Sequence, residues 1–202
     1  MKEQQKIKLA SLAGILGPLL LGAVITLLTV VEYEFMTSIG WTLRAPLDWP
    51  SGLALGPVGW LMTGTFVISG ILIAVFASGL RLRLPPGRLT TISIWLLVLA
   101  GIGMIGLIFS TDKTMDRPLR TWHGLLHDSS FVVIGLTLMP AMILLGFVFL
   151  KDGRWKNLAV YTWLTVALAI PSFWMKGFAF YFFLLAILLW CEVIAFRLRS
   201  IA

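Results

Sequence analysis

Charged positions in this chain fall in short clusters, and the intervals between them are long and apolar. No charged residue occurs in residues 9–31 or 53–80. Further apolar runs occupy residues 89–109, 121–150, 158–175 and 178–196. A helix rises about 1.5 Å per residue, so about 20 apolar residues cross the hydrocarbon core of a bilayer. The pattern predicts an all-α fold: one integral membrane domain over residues 1–202, a bundle of six transmembrane helices. Those helices are expected at about 9–31, 57–80, 89–109, 121–150, 158–175 and 178–196.

The connections are mostly short. Residues 81–88 and 151–157 read as basic turns, and Lys176-Gly177 as a tight reversal. Residues 32–56 form a longer link that mixes Glu32, Glu34 and Asp48 with Tyr33, Trp41 and Trp49. Pro46 and Pro50 interrupt any continuous helix there, and the aromatic-polar mixture suits a segment at the headgroup level. Gly101, Gly103 and Gly106 match a dinucleotide-binding spacing. That chemistry needs a strand before the glycines, whereas here they lie inside an apolar run, where close helix packing explains them better.

Composition sharpens the class: 59% of residues are hydrophobic and 12% are charged, about half the charged share of a soluble domain. The net charge of +7 does not point to nucleic acid, because the cations form separate clusters rather than one basic face. Their distribution gives an orientation instead. Eleven lysines and arginines flank one side (Lys2 to Lys8, Arg81 to Arg88, Lys151 to Lys156, Arg197 and Arg199). Five flank the other: Arg44, Lys113, Arg117, Arg120 and Lys176. The positive-inside rule then puts both termini in the cytoplasm and makes this a multi-pass protein of the cytoplasmic membrane. Tryptophans are expected in two belts, with Trp41, Trp49, Trp60, Trp122 and Trp174 outside and Trp95, Trp155, Trp163 and Trp190 inside. The single cysteine, Cys191, is expected to be a small buried side chain.

The polar chemistry concentrates in residues 109–130, which hold Asp112, Asp116, His123, His127 and Asp128. His123 and His127 are four apart, so their rings share one helix face. Such a pair can hold a divalent metal such as zinc when one or two further ligands join it; Asp112 and Asp116 are close in sequence, and Asp112 is the candidate third ligand. Hydrogen bonds to nearby carboxylates and water are the alternative. Asp128 lies inside an apolar helix, where a carboxylate is costly unless paired or hydrated, so it is a candidate functional group with Arg117, Arg120 or a histidine as partner.

These residues carry a resemblance. Trp49-Pro50-Ser51-Gly52, Ser69-Gly70, Phe109-Ser110-Thr111-Asp112 and the pair His123-Gly124-x-x-His127 make the chain resemble the domain of unknown function 998 family over nearly its whole length. The family usually has proline where this chain has Ser110. The resemblance implies six helices in the cytoplasmic membrane and no established activity. A second set (His123, His127, Asp112, Asp116 and Ser69) is similar to the zinc site of membrane hydrolases of the alkaline ceramidase and adiponectin-receptor type. The third histidine of that site has no counterpart here, and a carboxylate would have to replace it.

Three functions follow as expectations. The first is a non-enzymatic membrane protein that binds, senses or moves a lipid or small molecule at an outer-leaflet site built from Asp112, Asp116, His123, His127 and Asp128. The second is a metal-dependent hydrolase acting on a lipid. The third is a structural or partner-binding bundle. Residues 66–70 and 131–135 (Phe-Val-Ile-Ser-Gly and Phe-Val-Val-Ile-Gly) also hint at an internal repeat.

Overall fold

A computed structural model describes residues 3–40, 49–112, 121–175 and 177–201, which are helical with no strand among them. The elements are α1 (Glu3–Val31), α2 (Tyr33–Ser38), a 3-10 turn (Pro50–Leu55), α3 (Trp60–Arg83), α4 (Arg88–Gly106), α5 (Trp122–Phe149), α6 (Asn157–Phe173) and α7 (Phe178–Ser200). Five of them, α1, α3, α4, α5 and α7, are long and apolar enough to cross a membrane; α6 is apolar but has 17 residues. At 1.5 Å per residue α6 is about 26 Å long, a little under the thickness of a bilayer core.

The six long helices form a ring. Each packs on the next in the order α1, α3, α4, α5, α6, α7, and α7 closes back on α1. Small residues set the closest approaches, as expected where lipid removes the hydrophobic drive for helix association. A methyl group at Gly70 of α3 would overlap the Gly101 carbonyl of α4, and one at Gly103 would overlap Ile134 and the Ser130 carbonyl of α5. The glycine-rich stretch of α4 is thus a packing device against both of its neighbours. The two Phe-to-Gly segments hold related places. Phe66 and Phe131 both face the interior of the ring, while Gly70 and Gly135 each receive the next helix, α4 and α6.

The ring has two chemically different ends. Every lysine and arginine among the described residues lies at the end formed by the start of α1, the turns 84–87 and 150–156, and the end of α7. That end is drawn shut: Gly79 of α3 packs on Ala10 of α1 and Leu198 of α7. Arg197 Nε donates to the Arg154 carbonyl at 2.7 Å, and Arg154 Nη2 donates to the Arg83 carbonyl at 3.1 Å. The α6 helix traverses the whole ring between these ends. Arg154, just before it, meets Arg197 near the end of α7, and Phe173 at its far end packs on Phe131 and Phe183.

Several expectations shift. The helix expected from residue 57 begins at Trp60, because the chain first turns through Gly56–Gly59, the Gly59 N–H donating to the Gly56 carbonyl at 2.9 Å. α1 begins at Glu3 and α7 runs on to Ser200, so their basic residues sit on helix rather than beside it. The inner tryptophan belt is corrected. Trp155 and Trp190 are fully buried, Trp155 stacked on Phe149 and Trp190 Nε1 donating to Thr162 Oγ1 at 3.0 Å. Trp60, Trp95, Trp122 and Trp174 do face outward. Trp41, Asp48, Arg44, Lys113, Asp116, Arg117, Arg120 and Lys176 lie outside the described residues.

Candidate functional site

The end of the ring opposite the cations holds the Asp/His stretch. Helix α5 starts with an N-cap network. The Thr121 hydroxyl donates to Asp112 Oδ1 and accepts the Gly124 N–H at 3.1 Å, satisfying one of the helix's free donors. Asp112 Oδ2 also accepts the Thr121 N–H at 3.2 Å. A methyl group on Gly124 would overlap the Asp112 carboxylate, so glycine is what lets the aspartate sit down on the helix.

The two histidines fasten the same junction. His123 Nδ1 lies 3.0 Å from the Ser110 carbonyl and His127 Nδ1 lies 2.8 Å from the Phe109 carbonyl. A carbonyl only accepts, so each Nδ1 is the protonated nitrogen, and a neutral ring presents Nε2 as its acceptor. Histidines one helical turn apart on α5 therefore bond consecutive carbonyls after α4.

The five expected site residues thus separate. Asp112 and His123 belong to the cap. His127, buried, and Asp128 line the interior of the ring. Asp116 lies outside the described residues. Among the described residues no three His, Cys, Asp or Glu side chains come together in a way that could hold a metal ion. The histidine tautomer suits ligation through Nε2, but the Asp112 carboxylate is already engaged by Thr121.

The interior is a cavity of about 330 Å³, within the size range of small-molecule sites. All six long helices and the 3-10 turn contribute to it, and its walls are mainly Leu, Ile and Phe side chains, such as Leu21, Phe76, Leu97, Phe131, Phe183 and Ile187. Polar groups gather toward the Asp/His end: Trp49, Ser51, Thr111, His127 and Asp128, with Ser69 deeper on α3. Ser69 is 3% exposed; its Oγ and the Trp49 Nε1 are buried and have no hydrogen-bond partner among the described residues. Serine in a helix commonly bonds a carbonyl one turn back, as Ser93 and Ser130 do here. Ser69 does not, although the residue lines the cavity.

Trp49 and the 3-10 turn sit over this end. The indole meets Phe131 and Phe180 edge-on, with centroids 5.6 and 4.6 Å away. The expected headgroup-level segment is thus partly a cap on the ring. Glu32, after α1, anchors that cap. Its Oε1 accepts the Val58 N–H at 2.8 Å, and its carboxyl packs against Gly56. Burial raises the Glu32 carboxyl above its ordinary range, against the lowering effect of the Val58 bond. Its second oxygen is buried without a partner among the described residues.

Sequence reasoning placed Trp49 outside the site and reached Ser69 only through resemblance. The signal for both was there in the Trp49-Pro50-Ser51 entry and in a serine on the apolar face of α3. What sequence could not supply was that the helices close into a ring around them.

Long apolar helices packed through small residues, with the described lysines and arginines gathered at one end, define a multi-pass helical membrane protein. The family model described as a protein of unknown function (DUF998) matches residues 20–198, and the chain belongs to that family. No curated protein and no solved structure matches the chain significantly.

Proposed function

We propose that this protein binds one amphipathic, lipid-like molecule inside its helix ring, with the apolar part among the Leu and Phe walls and an oxygen-bearing end toward Trp49 and Ser69. The observation that carries this reading is the pair of buried, unpartnered donors lining an apolar cavity. A buried polar group without a partner costs about 1–3 kcal/mol, and an ester, carbonyl or ether oxygen of a ligand would offset that cost at both positions. Indole N–H only donates, so the ligand atom beside Trp49 is an acceptor. His127 and Asp128 add polar character at the same end.

In this reading the chain spans the cytoplasmic membrane six times with both termini inside. The traverse of α6 across the ring supports the sixth span. The gathering of the described cations at one end supports the orientation. The Asp/His end and its cap then face the outer leaflet.

A lipid hydrolase with a metal held by His123 and His127 is the second reading, and the Nδ1–H bonds to carbonyls favour it, since they fix Nε2 for ligation. It needs a third ligand from outside the described residues, such as Asp116, because Asp112 serves the cap.

The test is native mass spectrometry of detergent-purified protein, with lipid extraction, on wild type, Ser69→Ala, Trp49→Phe and the cavity-filling Ala100→Phe. The expected result is one retained amphiphile in wild type, weaker retention in the first two variants and none in the third. An identical lipid complement in all four helical, monodisperse proteins overturns the reading.

A further inference from the structure

The basic end has a cavity of its own. The turn after α3 and the turn before α6 face one another there, and between them lies a space of about 470 Å³. Arg83, Pro85 and Pro86 line one side, and Lys151, Asp152 and Arg154 the other. Three cations against one carboxylate leave a local excess of two positive charges.

The groups differ in how far they are already engaged. Arg154 is held: its Nη2 donates to Asp152 Oδ2 at 2.6 Å and to the Arg83 carbonyl at 3.1 Å, and its Nε reaches both Asp152 oxygens at 3.1 Å. The Arg154 carbonyl in turn accepts from Arg197. This ties the two turns and α7 into a fixed frame. Asp152 is consumed by that frame, and its carboxyl is held below the usual range by the Arg154 guanidinium. Arg83 Nε, by contrast, is buried with no hydrogen-bond partner among the described residues. A guanidinium donor withdrawn from water and left unpaired is costly. Arg83 itself is only half-buried and lines the cavity, so the charge of its guanidinium acts on an anion placed there.

We infer that the cavity between Arg83 and the 151–154 turn is a binding site for a phosphate-bearing anion. Guanidinium and ammonium groups recognise phosphate oxygens through charge-assisted bonds. Two surplus charges balance a phosphate monoester or inorganic phosphate, at about −1.5 to −2 near neutral pH, and more than balance the single charge of a diester. The site lies at the level of the helix ends, where basic pockets between spans meet anionic lipid headgroups. A phospholipid headgroup and a soluble phosphate present the same chemistry, and the experiment separates them. The site is independent of the central cavity and of what that cavity holds.

The protein would be reconstituted into nanodiscs of phosphatidylcholine alone, or of phosphatidylcholine with phosphatidylglycerol. Inorganic phosphate would be titrated into the first set at constant ionic strength. Thermal midpoint and lipid retention would be read for wild type, Arg83→Gln, Lys151→Gln and the control Lys8→Gln, which removes a cation at the same end outside the cavity. The expected result is an upward shift of the midpoint with phosphatidylglycerol, and an apparent affinity about tenfold weaker in Arg83→Gln and Lys151→Gln but unchanged in Lys8→Gln. The same pattern with inorganic phosphate alone assigns a soluble ligand. Equal effects of all three substitutions, or no response to either anion, would overturn the proposal, and Lys151→Gln, on an exposed turn residue, keeps the test valid if Arg83→Gln fails to fold.

Discussion

His127 Nδ1 stands 2.8 Å from the Phe109 carbonyl, so a buried imidazole on α5 pins the chain leaving α4. Phe109 lies after the last turn of its helix, where a carbonyl has no intrahelical partner. Removing the ring leaves that carbonyl short of a donor. His127→Ala is expected to destabilise by about 1–3 kcal/mol, seen as a lower thermal midpoint in detergent. His127→Asn, which keeps a donor on a shorter side chain, should recover part of the loss.

Gly124 and Asp112 form a steric pair. A methyl at 124 would overlap the carboxylate that accepts from Thr121. Gly124→Ala should lower stability although alanine is the better helix former. At Gly64, inside α3, an added methyl meets nothing within 4 Å, and Gly64→Ala should be neutral or stabilising by up to about 1 kcal/mol. Because the Gly124 penalty comes from Asp112, the double variant Gly124→Ala/Asp112→Ala should lose less than the sum of its single variants. Additive losses would show that the two sites are not coupled.

These pairs also show how far the sequence can be read. Run length and the absence of charge sufficed for the all-helical class, because in lipid the backbone must satisfy itself and the helix is the available solution. The glycines of α4 could be assigned to packing for the same reason. Helix neighbours could not be read, since Leu and Phe look alike whether they face lipid or a partner, and Trp155 and Trp190 turned out to be core. The Asp/His stretch was legible as a focus of polar chemistry but not in its division. Asp112 and His123 went to a helix cap, and His127 and Asp128 to the cavity, although both histidines bond carbonyls after α4. Those carbonyls leave no signature in the identities of Phe109 and Ser110.

Metal content follows from that division. Asp112 is committed to Thr121, and among the described residues no three His, Cys, Asp or Glu side chains come together in a way that could hold a metal ion. Protein purified without chelator is therefore expected to carry far less than one equivalent of zinc by elemental analysis. A His123→Ala/His127→Ala double variant should carry the same trace amount, and chelation should leave the thermal midpoint of wild type unmoved. Near-stoichiometric zinc in wild type, absent from the double variant, would instead establish the hydrolase reading and place a third ligand in the 113–120 segment.

The Glu32 carboxyl gives the cap over the Asp/His end a pH dependence, with stability falling as pH rises. Burial raises its pKa in the folded protein above the ordinary value of 4.5, so the folded state holds a proton that the unfolded chain releases more readily. Stability rises with pH only where the unfolded state binds more protons; here the folded state does, so stability falls as pH climbs. The contribution is fully present below 4.5 and is lost as pH rises from there through the raised folded value. Thermal midpoints of wild type, measured from about pH 4 to about pH 8, should decline over this window. Glu32→Gln cannot ionise, yet its side-chain oxygen can still accept the Val58 N–H, so its midpoint should be flatter with pH and equal or exceed wild type at neutral pH. Glu32→Ala removes the acceptor and opens a gap beneath Gly56; it should be less stable than Glu32→Gln throughout. A wild-type midpoint that rises across the window while Glu32→Gln stays flat would mean that the carboxylate, not the acid, is the form held against the cap.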